Sequence, residues 1–130
     1  MDDLYKEIIL EHYKHPRNFG KINNASAGFT LTNDLCGDEI AMEITITKPM
    51  TKNQRPATIK DIKFQGQGCA LSIASASLLT EHVKGWDLHK VLTVTGKDIF
   101  MLLGVNLNHA RIKCALLPLE VLHKTIGLLK

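Results

Sequence analysis

Three cysteines and one aspartate carry the most specific chemistry in this sequence. Cys36 and Asp38 share one turn-like segment, Cys69 follows a Gly-Gln-Gly run, and Cys114 follows a basic segment. The separations of 33 and 45 residues between successive cysteines exclude a Cys-x-x-Cys zinc knuckle. Three thiolates and one carboxylate nevertheless provide four ligands, which is enough for a tetrahedral zinc or an iron centre.

The surroundings of two of these thiols favour the reactive thiolate form. Cys69 opens a predicted helix, where free backbone N–H groups and the helix dipole favour negative charge. Arg111 and Lys113 place positive charge near Cys114, and we interpret them as thiolate-supporting residues. Free cysteines are also commonly buried as small apolar residues. Local context therefore supports two interpretations equally: one shared site, or three structural thiols.

Hydrophobic periodicity indicates the elements that must position these residues. The segment 39–47 alternates strictly between apolar and other residues, which predicts a strand with one face on a core. The same analysis predicts strands over 28–32 and 58–65, a loop over 48–56, and helices over 3–15, 69–84, 97–103 and 110–129.

Two breaks are expected within this pattern. The Gly66-Gln67-Gly68 run is expected to end the third strand. Pro118 is compatible with the last helix if its regular part begins at about residue 117, after a break following Cys114. Each cysteine is then expected to lie where an element begins or ends.

These elements predict an α+β fold in a single domain over residues 1–130. A small antiparallel three-stranded sheet lies near the middle of the sequence, and N-terminal, central and C-terminal helices pack against it. No internal repeat or linker divides the chain.

Composition limits the classes of function. The net charge of +3 and the scattered basic residues argue against nucleic-acid binding. No apolar run approaches the roughly 20 residues of a membrane span, and the start of the sequence does not read as a targeting signal. We therefore expect a cytoplasmic protein without nucleic-acid or membrane partners, in which three cysteines remain free thiols.

Four segments closely resemble the iron–sulfur cluster assembly scaffold family, which comprises IscU, SufU and the NifU N-terminal domain. The resemblance runs in order along nearly the whole chain, and the last three segments each contain one cysteine. The segments are Leu4–Ile9, Cys36–Ile40, Phe64–Ser72 and Arg111–Leu117. The resemblance implies a SufE/NifU-like α+β fold. It also implies that Cys36, Asp38, Cys69 and Cys114 gather at one exposed end as metal and cluster ligands.

The resemblance further implies a function. A family member accepts persulfide sulfur from a cysteine desulfurase, takes up iron, and assembles a transient [2Fe–2S] cluster that passes to acceptor apoproteins. An iron or electron donor is a further partner, and zinc occupies the resting site. Such a protein is a scaffold or carrier more than an enzyme, and sulfurtransferase-like at most. Thiolates suit these roles as nucleophiles and soft ligands.

Departures from the family pattern leave its branch open. The chain has Leu103–Asn108 where the IscU branch has a chaperone-binding Leu-Pro-Pro-Val-Lys loop, and Lys113 where that branch has histidine. Lys113 matches the SufU branch, but the 45-residue separation is too short for that branch's extra segment. Cys114 is the first persulfide acceptor on the IscU-like interpretation, and Cys36 on the SufU-like one.

Three alternative functions follow. The SufU-like interpretation makes the protein a zinc-dependent sulfur acceptor. A second alternative is a binding module with purely structural zinc, whose removal would unfold the domain. A third is a protein-interaction domain with incidental thiols.

Overall fold

The computed structural model describes residues 3–34, 37–47, 57–104 and 109–129. Its elements follow in chain order: α1 (Asp3–Lys14), β1 (Ala27–Asn33), β2 (Asp38–Ile46), β3 (Ile59–Gln67), α2 (Ala70–Val83), α3 (Leu88–Val91), α4 (Gly96–Leu103) and α5 (His109–Gly127). The predicted α+β fold with a three-stranded antiparallel sheet is confirmed. The predicted loop over 48–56 lies outside the described residues.

The sheet has the order β1-β2-β3, and both neighbouring pairs are antiparallel. Alternation along β2 turns Ile40, Met42 and Ile44 toward the helices, where all three side chains are fully buried. Ile62 and Phe64 of β3 join them on the same face. These branched and aromatic side chains form the floor of the hydrophobic core.

The expected break at Gly66 is wrong, because β3 continues through Gln67. A Cβ atom added at Gly66 would collide with the backbone carbonyl of Glu39 and lie 2.8 Å from Cδ1 of Ile40. The glycine therefore permits close packing against β2 and does not end the strand.

Helix α2 lies over the sheet and packs against α1, α5 and β3. Its small residues are nearly all buried, as expected for a helix that approaches its neighbours closely: Ser72, Ala74, Ser75, Ala76 and Ser77. The buried serines satisfy their hydroxyls through hydrogen bonds. For example, Ser75 Oγ donates to the carbonyl of Ala115 in α5 at 2.6 Å. Hydrogen bonding of this kind lets polar groups lie in the core without a large desolvation cost.

The C-terminal helix is continuous, so the expected break after Cys114 is wrong. Helix α5 runs from His109 to Gly127 with Pro118 in its interior. The sequence spacing predicts one apolar stripe on this helix, made of Ala115, Leu119, Leu122, Ile126 and Leu129. The first four are buried against the sheet and α2, and Leu129 is half-buried. Packing of this stripe offsets the hydrogen bond that proline removes.

The sequence pattern did not indicate the short helix α3. It begins where the Asp87 side chain accepts a hydrogen bond from the Lys90 backbone N–H at 2.8 Å.

Over the described part of the chain, every helix is too short or too polar to span a bilayer.

A buried histidine joins α1 to α2. His12 is 8% exposed, and its Nδ1 lies 2.7 Å from Oγ of Ser77. The same oxygen accepts a hydrogen bond from the Arg17 backbone N–H at 2.9 Å. Burial, with a smaller contribution from the Arg17 charge, lowers the pKa of His12 below its ordinary value of 6.5.

The protein is predicted to lose stability as pH falls. Below pH 6.5 the unfolded chain binds a proton at His12 that the folded chain resists, so the free energy of unfolding decreases through this range. Urea unfolding, followed by the fluorescence of Trp86, would measure this between about pH 7 and about pH 5. His12→Gln should flatten the pH dependence, whereas His89→Gln, at an exposed position, should preserve it. An equally steep profile in His12→Gln would contradict the assignment.

Candidate metal and sulfur site

Three of the residues singled out in the sequence meet at one end of the sheet. Asp38 is the first residue of β2, Cys69 immediately precedes α2, and Cys114 lies in the second turn of α5. One ligand atom from each, two thiol sulfurs and a carboxylate oxygen, lies within 4.8 Å of the others. Neither Cys69 nor Cys114 forms a disulfide.

The Asp38 side chain is oriented by the start of α2. Its Oδ1 accepts a hydrogen bond from the Cys69 backbone N–H at 2.9 Å. The residue is 1% exposed, and Oδ2 has no hydrogen-bond partner among the described residues. A buried carboxylate oxygen without a partner is costly, and a bound cation would offset that cost.

Cys69 is held by its own helix. It is the N-cap residue of α2, with an extended backbone at φ −73° and ψ 167°. The hydroxyl of Ser72, which is fully buried, donates to the Cys69 carbonyl at 3.0 Å and lies 3.9 Å from its sulfur. The small residues at the start of this helix indicate close packing, and the position of Ser72 three residues after a helix-opening residue is the sequence signal for this further contact.

Gly68 provides the space that this arrangement requires. A Cβ atom at this position would collide with the Asp38 carboxylate and lie 2.7 Å from Oγ of Ser72. Only glycine leaves both side chains in place, because it has no Cβ atom.

The expected exposed location of the site holds only for Cys69. Cys69 is partly exposed, whereas Asp38 and Cys114 are each only 1% exposed. Cys114 also lies inside α5, not at an element boundary, because the helix begins five residues earlier at His109. Helix packing on the sheet therefore covers one thiol and leaves the other accessible.

The remaining predicted site residues are placed less fully. Cys36 and the side chain of Arg111 lie outside the described residues. Lys113 is exposed on α5 and lines a cavity of about 350 Å³ with Asn33, Asp34 and Glu120, among others. Its predicted support of the Cys114 thiolate stays a prediction.

The donor set fits a zinc ion or an iron–sulfur unit. Two sulfurs and one carboxylate oxygen are ligands that both accept. Donors around a tetrahedral zinc lie about 3.5 to 4 Å apart, so adjustments of about 1 Å would bring these three atoms to bonding positions. The unpartnered Oδ2 of Asp38 is the observation that favours a cation here.

The fold and the site define a protein that handles metal or sulfur through clustered thiols. The family model for the NifU-like N terminal domain matches residues 4–129. The zinc-dependent sulfurtransferase SufU of Bacillus subtilis is 35% identical, over 98% of this chain and 92% of that protein. The iron–sulfur cluster assembly scaffold protein IscU of Aquifex aeolicus is 38% identical, over 94% of this chain and 73% of its own length.

The chain therefore belongs to the NifU-like N-terminal domain family, and the predicted family is confirmed. A crystal structure of the N-terminal part of a NifU-like protein from Brucella abortus has a TM-score of 0.76 at 19% identity, covering 98% of this chain and 95% of that one, which shows a shared fold. The predicted connection to iron–sulfur cluster assembly is confirmed at the level of the family.

Gly68→Ala is predicted to weaken metal binding. The added methyl group displaces the Asp38 carboxylate or Ser72, so the Zn²⁺ dissociation constant should rise about 10- to 100-fold. Competition with a chromophoric chelator would measure it. Gly127→Ala is a matched control, because a Cβ atom there meets nothing within 4 Å. An unchanged affinity for Zn²⁺ in a folded Gly68→Ala protein would show that Asp38 is not a metal ligand.

Proposed function

We propose that this protein is an iron–sulfur cluster assembly scaffold. It accepts persulfide sulfur from a cysteine desulfurase, holds a transient [2Fe–2S] cluster as its cargo, and releases it to acceptor apoproteins. The observation that carries the proposal is the convergence of Asp38, Cys69 and Cys114 within 4.8 Å, in a chain of this family.

Cys36 is proposed as the fourth ligand. It precedes Asp38 by two residues, so the chain limits the distance between their Cα atoms to about 7 Å. With Cys36 the set comprises three sulfurs and one oxygen, and a thiolate-rich set is what an iron–sulfur cluster requires.

Asp38 is proposed to keep the cargo labile. A carboxylate is a harder and weaker partner for a cluster than a fourth thiolate. Its hydrogen bond from the Cys69 backbone N–H draws charge away from the carboxylate, which lowers its strength as a ligand further. A scaffold must release its cluster, so a weak ligand at a well-ordered position suits this function.

The partners follow from the chemistry of the site. A cysteine desulfurase would supply sulfur, an iron or electron donor would complete the cluster, and apoproteins would receive it. Thiols that form no disulfide, such as those of Cys69 and Cys114, suit a reducing compartment, and the cytoplasm meets that requirement.

A second candidate is a zinc-dependent sulfur acceptor. The 35% identity to the Bacillus subtilis sulfurtransferase and the exposed Lys113 beside Cys114 favour it. The alignment with that relative spans 144 positions against 130 residues here, so this chain lacks at least 14 residues of the relative. That difference favours the scaffold.

A purely structural zinc site fits less well. Such sites supply folding energy to domains with little core of their own. Here Ile40, Met42, Ile44 and Phe64 are fully buried in an apolar core that includes residues of β2, β3 and the helices. The metal-free protein is therefore expected to remain folded.

Anaerobic reconstitution tests the scaffold proposal. Incubation with a cysteine desulfurase, cysteine and ferrous iron should produce the visible absorption of a [2Fe–2S] cluster, and Cys69→Ser and Cys114→Ser should abolish it. A substitution of an exposed residue that is not a cysteine, such as His89→Gln, serves as the control. Stimulation of the desulfurase without a chromophore would instead support the zinc-dependent sulfur acceptor.

Asp38→Ala is predicted to lengthen the life of the bound cluster. Removing the weak ligand and its charge should slow transfer to an acceptor apoprotein such as an apo-ferredoxin by about tenfold. Decay of the cluster absorption and its appearance on the acceptor would be followed together. Faster loss in the variant would contradict the labilising role of Asp38.

A further inference from the structure

We propose that Ser72 is a positioning residue for the Cys69 ligand. When Cys69 serves as a thiolate ligand, the Ser72 hydroxyl turns its proton from the Cys69 carbonyl to the Cys69 sulfur. The proposal rests on the proposed function, because it concerns the ligand set of that site. It gives a role in binding to a buried hydroxyl for which the sequence indicated only close packing.

The Ser72 hydroxyl lies beside two polar atoms of one residue. Its oxygen is 3.0 Å from the carbonyl oxygen of Cys69, to which it donates. The same oxygen is 3.9 Å from the Cys69 sulfur, whose S–H group donates to it. Because Ser72 is fully buried, water does not compete for the hydroxyl, and its proton is directed by these two neighbours.

Loss of the thiol proton reverses the polarity of this contact. Cys69 gives up its proton when it becomes a metal ligand, and its sulfur then has only lone pairs to offer. A hydroxyl that kept its proton on the carbonyl would turn a lone pair toward a charged sulfur in a buried space. Rotation about the Cβ–Oγ bond removes this repulsion and forms a charge-assisted hydrogen bond, which is shorter and stronger than the neutral one.

The carbonyl that gives up the hydroxyl keeps another partner. The Ile73 backbone N–H donates to the Cys69 carbonyl at 3.3 Å, at the start of α2. Rotation of the Ser72 hydroxyl therefore leaves no orphaned carbonyl at this position, so the penalty for an unsatisfied polar group does not arise.

The first turn of α2 offers no other side-chain donor to this sulfur. All residues of this turn are described; Ala70 and Leu71 have no polar side-chain atom, and none of the turn's residues is acidic. The Cys69 side chain also forms no capping hydrogen bond with the backbone of its own helix. Within this turn, the task of stabilising and orienting a thiolate therefore falls to Ser72.

Gly68 places the hydroxyl among the ligands. A Cβ atom at Gly68 would lie 2.7 Å from Oγ of Ser72 and would collide with the Asp38 carboxylate. The hydroxyl and the carboxylate therefore border the same small space. A hydroxyl in this place can fix the orientation of one ligand while the sulfurs and the carboxylate occupy the binding positions.

Cobalt substitution tests the role of Ser72. The reduced, metal-free, full-length protein is titrated with Co²⁺ without oxygen, and its sulfur-to-cobalt charge-transfer absorption is recorded. Ser72→Ala should move this absorption to longer wavelength, because a thiolate without a hydrogen bond holds its electrons less tightly. The Zn²⁺ dissociation constant, measured by chelator competition, should rise about tenfold.

A conservative variant and a matched control accompany this measurement. Ser72→Thr keeps a hydroxyl that can reach the carbonyl three residues earlier, so it should restore both values. Ser77 is an equally buried serine of the same helix, but its oxygen contacts His12 and the Arg17 backbone N–H. Ser72→Ala and Ser77→Ala should both lower the thermal midpoint, whereas only Ser72→Ala should change the cobalt spectrum.

Three outcomes would overturn the role of Ser72. They are an unchanged spectrum and Zn²⁺ affinity in a folded Ser72→Ala protein, the same spectral change in Ser77→Ala, and a folded Ser72→Thr protein that behaves like Ser72→Ala. Absence of any sulfur-to-cobalt absorption in the wild-type protein would instead overturn the ligand set of the proposed function. The two failures are therefore distinguishable.

Discussion

The hydrogen bond from the Cys69 backbone N–H to the Asp38 carboxylate is the interaction on which the site depends. It joins the first residue of β2 to the residue that caps α2, across 31 positions of sequence, and its length of 2.9 Å is ordinary for an N–H···O hydrogen bond. The carboxylate satisfies a backbone donor that the start of a helix leaves unpaired. Because this hydrogen bond fixes the carboxylate, its second oxygen lies in a buried position without a partner among the described residues.

That arrangement requires very close packing. Gly66 allows β3 to approach β2, and Gly68 leaves room for Asp38 and Ser72 at the start of the helix. A side chain at either position would collide with an atom of the sheet or of the site. The end of β3 and the residue after it therefore carry glycine at the two positions where β2 and the Asp38 carboxylate leave no room for a side chain.

The core and the site are built from different parts of the same elements. The apolar face of β2 and the stripe of α5 bury their side chains independently of the thiols. A site that contributes little to folding can exchange its contents without unfolding the domain, which suits a carrier. Cys69 is partly exposed and Cys114 is buried, so the two thiols differ in their access to solvent and to partners.

The sequence by itself determined the elements with clear periodicity and the types of ligand. Strict alternation in β2 and the spacing of Ala115, Leu119, Leu122 and Ile126 predicted a strand and a helical stripe, because these periods follow from local backbone geometry. The resemblance of its motifs indicated which cysteines belong together. Cys36 stays a prediction, since it lies outside the described residues.

Only the tertiary structure decided how the site is enclosed. The continuous course of α5 through Pro118, the burial of Cys114 and the hydrogen bond between Cys69 and Asp38 all depend on contacts between residues far apart in sequence. Local patterns cannot give them, because a proline is tolerated, and a thiol is covered, only through the packing energy of the neighbours that the fold supplies.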